Sequence, residues 1–177
     1  DGTAAILRQY AEKYPDIIHP IYETENQYSK HDGSLGRIMD AAVNATGAKY
    51  VALCEGDDYW IDPYKLQKQV DFMESHSDCV MHCQNAYRDC GSNRYLFINP
   101  NIKAGYMTLS QMLERWQVTS ASILYHRETL SKIDFSKIEI PDGNILLPSP
   151  CTQICFIRIR SFVKFFAEPY LSAHKIC

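Results

Sequence analysis

An α/β layered fold is what this sequence predicts, on three observations. Segments of helical period alternate with short apolar runs of strand character along the first half of the chain. Stop and start residues fall between them, Pro15, Gly47 and Pro63 among them. The chain has 177 residues and 46% hydrophobic content, enough for a single core that buries about two-thirds of the unfolded surface.

The elements follow in order. Thr3 is expected to cap an amphipathic helix that places Ala4, Leu7, Tyr10, Ala11 and Tyr14 on one face and ends before Pro15. Ile17 to Tyr22 then reads as a strand. Ser34 opens a second helix carrying Ile38, Ala41, Ala42 and Ala45, and Gly47 stops it. A strand from Tyr50 to Cys54 comes next. The third helix starts at Pro63 and turns Leu66, Gln69, Val70 and Met73 toward the core, with Lys65 and Lys68 on the wet face. Cys79 to Gln84 is short and apolar enough for a strand. Asn93 to Tyr106 has no firm pattern and is expected as a long loop, suited to a lid or acceptor surface. Thr108 with Gln111 forms a capping box for a helix through Met112, Leu113 and Trp116. From Leu147 onward no helical period is evident. Neither an internal repeat nor a low-complexity segment interrupts the chain.

A net charge of −3 leaves no electrostatic footprint for nucleic acid, whose binders carry clustered positive charge. Seven cysteines cannot all pair within one chain, and no signal peptide opens the sequence, so reduced thiols and a cytoplasmic location are expected. No apolar run approaches the roughly 18 residues of a membrane span. The aromatic stretch Phe156 to Tyr170, interrupted by Arg158, Arg160 and Lys164, is a candidate for peripheral contact with the inner face of a membrane, though an edge strand and helix of the core is the stronger reading. Cys79, His82 and Cys83 make a weak zinc candidate, because a strand puts His82 on the opposite face from the two cysteines.

Chemistry concentrates in Tyr50-Val51-Ala52-Leu53-Cys54-Glu55-Gly56-Asp57-Asp58-Tyr59-Trp60, where an apolar strand runs into three carboxylates. Glu55, Asp57 and Asp58 repel one another unless a cation or firm hydrogen bonds compensate. Hard oxygen ligands favour Mg²⁺ or Mn²⁺ over zinc, and those ions commonly carry substrate phosphates. Ligands of open α/β sheets bind beyond the carboxyl ends of strands, which is where these acids fall. The alternative is a solvated acidic turn before the next helix, capped by Asp62.

The same region resembles the family 2 glycosyltransferases of GT-A fold, in which an Asp-x-Asp-type motif ending a strand holds the metal and the nucleotide diphosphate. Residues carrying the resemblance are Gly47 to Leu53, then Asp57-Asp58-Tyr59-Trp60, Asp62-Pro63 and Lys65-Leu66-Gln67-Lys68-Gln69. Thr119 to Leu124, followed by His126-Arg127-Glu128, is similar to the family's strand beside the acceptor site. The likeness spans roughly residues 1 to 130. It implies a Rossmann-like, mixed but mainly parallel sheet flanked by helices. A single domain over 1–177 is expected, with 1–90 on the nucleotide-sugar side and 91–177 on the acceptor side. Asp1-Gly2-Thr3 looks like the tail of the family's Asp-x-Gly-Ser-x-Asp-x-Thr loop, so the chain is expected to be an N-terminally truncated, incomplete copy of the fold.

The implied reaction transfers a sugar, with inversion, from a nucleotide-diphosphate donor, a UDP-sugar first of all, to a hydroxyl of a glycan or lipid-linked acceptor in polysaccharide or cell-surface glycan synthesis. By the resemblance, Glu55 and Asp57 hold Mn²⁺ or Mg²⁺, and Arg37, Asp57 and Asp58 bind the donor. Tyr59, Trp60 and Ser120 wall the sugar or acceptor, and Asp142 is the catalytic base. Glu55 stands where many members have aspartate, and Asp142 sits in Asp-Gly where the family has Gly-Asp. Two further readings remain open. One is a non-catalytic remnant serving as an interaction module; the other is a nucleotidyltransferase of related fold, which usually opens on a glycine-rich basic loop not found here.

Overall fold

The structure is a computed structural model, and it describes residues 2–30, 34–97, 104–107, 119–128 and 164–176. The chain divides into two compact units, Asp1–Met39 and Asp40–Cys177.

In the first unit, helix α1 spans Thr3–Lys13. Gly2 rather than Thr3 takes the N-cap position, and the helix closes through Tyr14 N–H donating to the Tyr10 carbonyl, one residue before Pro15. Ile17 to Tyr22, expected as a strand, is not one: it runs as irregular chain with Ile17, Ile21 and Tyr22 exposed. A β-branched run becomes a strand only where a neighbouring strand accepts its ladder bonds, and none is paired to it among the described residues. Helix α2, Ser34–Thr46, starts in this unit and ends in the next, at Gly47. Gly47 has φ 62°, the left-handed conformation that closes helices and that side chains resist.

The second unit is built on one mixed sheet. Its strands are β1 (Tyr50–Ala52), β2 (Asp58–Trp60), β3 (Cys79–Cys90), β4 (Asn93–Leu96), β5 (Gly105–Met107), β6 (Leu124–His126) and β7 (Lys164–Ile176). They lie in the order β1-β6-β3-β7-β2, with β4 also beside β3 and β5 beside β7. The sheet is mixed, as expected, but among the described strands β3 with β7 is the one parallel pair, and the remaining pairings are antiparallel. Short connections explain part of this. Gly91 and Ser92 alone join β3 to β4, Gly91 at φ 70°, and a two-residue turn can only return the chain antiparallel. The Asn93–Tyr106 segment read as loop thus contributes β4 and the start of β5.

Helix α3, Lys65–Ser75, packs on the sheet against β3 and β6. Met73, Cys79 and Leu124 form the core there, flanked by Tyr50, Ala52, Val70 and Phe72. The centre of β3 is buried on both faces: Met81, His82, Cys83, Gln84, Asn85 and Ala86 are all closed to solvent. One assignment on α3 is reversed. Lys65, expected on the wet face, is 1% exposed, whereas Leu66, expected in the core, is 37% exposed. The i, i+4 spacing of Lys65 and Gln69 places both over the sheet. Cys54, Cys79 and Cys83 are free thiols, but Cys90, at the exposed end of β3, is disulfide-bonded, which corrects the expectation that every thiol is reduced. Among the described residues no helix is long and apolar enough to cross a membrane. The expected helix after Thr108 and the stretch from Leu147 to 163 lie outside the described residues.

Candidate active site

Where β1 ends, the chain makes a tight turn and re-enters the sheet as β2. Leu53 N–H donates to the Ile123 carbonyl at 3.4 Å, which ties the exit of β1 to the segment before β6. The turn itself is Glu55-Gly56-Asp57-Asp58, closed by Asp58 N–H donating to the Glu55 carbonyl at 3.1 Å. The Cys54 thiol donates to the Asp58 carbonyl at 3.5 Å. Burial first, and the Asp58 carboxylate second, push the Cys54 thiol above its ordinary pKa, so it stays protonated as a donor at neutral pH.

This turn gathers the three acids: one carboxylate oxygen from each of Glu55, Asp57 and Asp58 lies within 4.8 Å of the others. Oxygens on opposite sides of a magnesium-sized ion are about 4.2 Å apart. The set therefore fits such an ion after a small rotation of the exposed Asp57 side chain, and three hard oxygens match the chemistry of Mg²⁺ or Mn²⁺. The acids differ in setting. Asp57 is exposed, Glu55 half-buried and Asp58 8% exposed. Among the described residues no other group of three or more histidines, cysteines and acids comes together; Cys79, His82 and Cys83 are core residues, with the Cys79 thiol spent on the Met81 carbonyl at 3.2 Å.

After the acids, Tyr59 and Trp60 continue along β2, 46% and 37% exposed. The Trp60 indole N–H donates to the Ala121 carbonyl at 2.9 Å, which brings the tryptophan to the 3₁₀ turn Ser120–Ser122. Ser120 is 3% exposed there. The acids, Trp60 and the turn holding Ser120 therefore form one neighbourhood. Arg37 belongs to the first unit, on α2. Asp142 lies outside the described residues. Asp62, expected to cap the next helix, instead stands two residues before its N-cap, Tyr64, where it accepts the Tyr64 N–H at 2.8 Å and pairs with the Lys68 ammonium at 2.7 Å. Those two donors, Lys68 first, hold its carboxyl below the ordinary range.

Behind this neighbourhood stands a buried polar network. Lys65 Nζ donates to Gln69 Oε1 at 2.7 Å and sits 4.7 Å from the centre of the Trp60 ring. Gln69 Nε2 donates to the carbonyls of Ser122 at 2.9 Å and His82 at 3.3 Å. Burial pushes the Lys65 ammonium down to about 8, against a smaller opposing pull from Cys54 and Cys83. Gln69 is turned toward the core, as expected from the sequence, but Lys65 was missed, because lysine scores as surface. The available signal was their helical spacing with Met73: Lys65, Gln69 and Met73 recur every four residues, and all three are buried.

Comparison with known proteins identifies the family. The family model described as glycosyl transferase family 2 matches residues 1–134. An uncharacterized protein of Mycobacterium tuberculosis is 33% identical over 131 residues, covering 72% of this chain and 36% of its own length. The putative glycosyltransferase EpsE of Bacillus subtilis is 40% identical over 76 residues, 43% of this chain and 25% of its own. The chain thus spans about a third or less of the curated relatives it matches. The crystal structure of S. aureus TarS 1-349 superposes with a TM-score of 0.58 at 15% identity, over 96% of this chain and 47% of that one, a likeness of fold. With the matched segment running from the first residue through the acid turn and the 119–122 turn, this chain belongs to glycosyl transferase family 2.

Proposed function

We propose that this chain is part of an inverting glycosyltransferase, which moves a sugar from a UDP-sugar to a hydroxyl of a glycan or lipid-linked acceptor. One observation supports the reading most: the three acids of a turn between two strands gather within 4.8 Å, at the place where the resemblance puts a metal and diphosphate. Glu55 and Asp57 would hold Mn²⁺ or Mg²⁺. Such an ion, when bound, neutralises charge on the departing nucleoside diphosphate.

The remaining tasks fall to the chain's own side chains. Asp58, nearly buried at the head of β2, is proposed to bind the donor together with Asp57. Arg37 is proposed to contact the diphosphate as a charge-assisted donor. Tyr59, Trp60 and Ser120 are proposed to wall the sugar, since aromatic faces suit the apolar faces of pyranose rings. Asp142 is proposed as the base that takes the proton from the acceptor hydroxyl. Residues 1–90 and 91–177 would then serve the donor and the acceptor in turn. A cytoplasmic site of action, at the inner face of a membrane, suits lipid-linked acceptors.

Calorimetry with UDP, in the presence and absence of Mn²⁺, tests the reading directly. Asp57→Asn is expected to abolish Mn²⁺-dependent UDP binding. An affinity unchanged by the substitution would sink the metal assignment.

A further inference from the structure

The most unusual group in the described part of the molecule is Lys65. It is 1% exposed, it makes no ion pair among the described residues at this site, and its ammonium rests between a neutral amide and an indole face. Burying an ammonium in such a setting costs stability that an apolar side chain of similar length would not. Breaches of this kind concentrate at functional sites. Because it is closed to solvent, Lys65 cannot itself be a ligand contact without a rearrangement. Its effects must pass through what it touches.

What it touches is the wall of the candidate site. The turn Ser120–Ser122 receives two side-chain donors, the Trp60 indole on the Ala121 carbonyl and Gln69 Nε2 on the Ser122 carbonyl. Lys65 joins those two donors, holding Gln69 Oε1 at 2.7 Å and capping the Trp60 ring at 4.7 Å. Gln69 can aim its amide N–H groups at the Ser122 and His82 carbonyls only if its oxygen faces a donor, and Lys65 is that donor. The indole is in turn fixed at its N–H by Ala121 and at its ring face by the ammonium, yet remains 37% exposed. Trp60 is also two residues from Asp58. A donor's sugar is bonded to the outer phosphate of the diphosphate, so an aromatic ring next to the diphosphate site lies within reach of the sugar.

We propose that Lys65, with Gln69, is a positioning residue that locks Trp60 and the Ser120–Ser122 turn into a rigid wall for the donor sugar. The proposal rests on the donor-site reading above. It separates two contributions to donor affinity: the acids govern the nucleoside diphosphate, and the Lys65 network governs the increment added by the sugar.

The test uses the intact chain in a Trp116→Phe background, which leaves Trp60 as the sole tryptophan. Calorimetry with Mn²⁺ compares UDP alone with UDP-glucose and UDP-N-acetylglucosamine, and acrylamide quenching reports the mobility of Trp60. Lys65→Met is expected to leave UDP affinity within about twofold, to lose about tenfold in affinity for whichever UDP-sugar binds more tightly than UDP, and to raise Trp60 quenching. Lys65→Arg, which keeps a cation over the ring and a donor to Gln69, should restore most of both. Gln69→Met attacks the same network from the other side and replaces Lys65→Met if circular dichroism shows that variant unfolded. A sugar increment or a Trp60 quenching constant unchanged in the folded variants overturns the proposal. Failure of the unsubstituted chain to bind UDP with Mn²⁺ would instead overturn the donor-site reading, and the sugar wall with it.

Discussion

Lys65→Met should remove a pH dependence of stability that the unsubstituted protein carries in the alkaline range. The Lys65 ammonium is pushed down by burial from 10.5 to about 8. Below pH 8 the folded and unfolded chains both hold the proton, so stability does not vary with pH through this group. Between about 8 and 10.5 the unfolded chain still holds it and the folded chain does not, so unfolding takes up a proton and stability rises with pH. At about 1.4 kcal/mol per pH unit, the rise amounts to about 3 kcal/mol across that window, the same energy that the buried charge costs at neutral pH. Methionine has nearly the same reach and no proton to lose. Against this gain it leaves Gln69 Oε1 without its donor, at about 1–3 kcal/mol, so the two proteins should be of similar stability near pH 7. Urea denaturation at intervals from pH 7 to 10.5, taken as the difference between the two proteins, isolates the effect, since thiol titrations common to both cancel to first order. The unsubstituted protein should gain on the variant by about 3 kcal/mol. A difference that stays flat across the window would refute the reasoning that Lys65 is desolvated.

Gly47→Ala should lower stability by about 1 kcal/mol in urea unfolding, because φ is +62° while no atom lies within 4 Å of the added methyl, so the whole cost is backbone strain. Asp62→Ala removes the acceptor of the Tyr64 N–H and the partner of Lys68 and should cost about 0.5–1.5 kcal/mol. Because the folded carboxyl titrates below its usual 3.8, its contribution is present above that value and lost as pH falls through the folded one. Acid unfolding of the variant should therefore be shallower than that of the parent below about pH 4.

How far the structure could be read in advance depended on the range of the interactions involved. Gly47 and the helix before it were legible because helix termination is local, decided by one residue's access to positive φ. The acid turn was legible because like charges at adjacent positions demand compensation wherever the chain goes. Ile17 to Tyr22 misled because its β-branched side chains favour a strand, yet strand formation requires a partner that no local pattern names. The β3–β4 hairpin was missed although Gly91 and Ser92 signalled it, since the exposed residues of β4 lack the alternation that a half-buried strand shows.

By itself the sequence determined the α/β class, the helix starting at Ser34 and ending at Gly47, the strand feeding the acids, and family membership through the residues around Asp57 and Asp58, all of which are encoded within a few residues of one another. Only the tertiary structure decided which face of α3 is buried, that Lys65 lies under Trp60 rather than in water, and that the 119–122 turn closes against β2. Those contacts join residues up to 61 positions apart. Their partners meet only once the sheet has brought distant segments of the chain together.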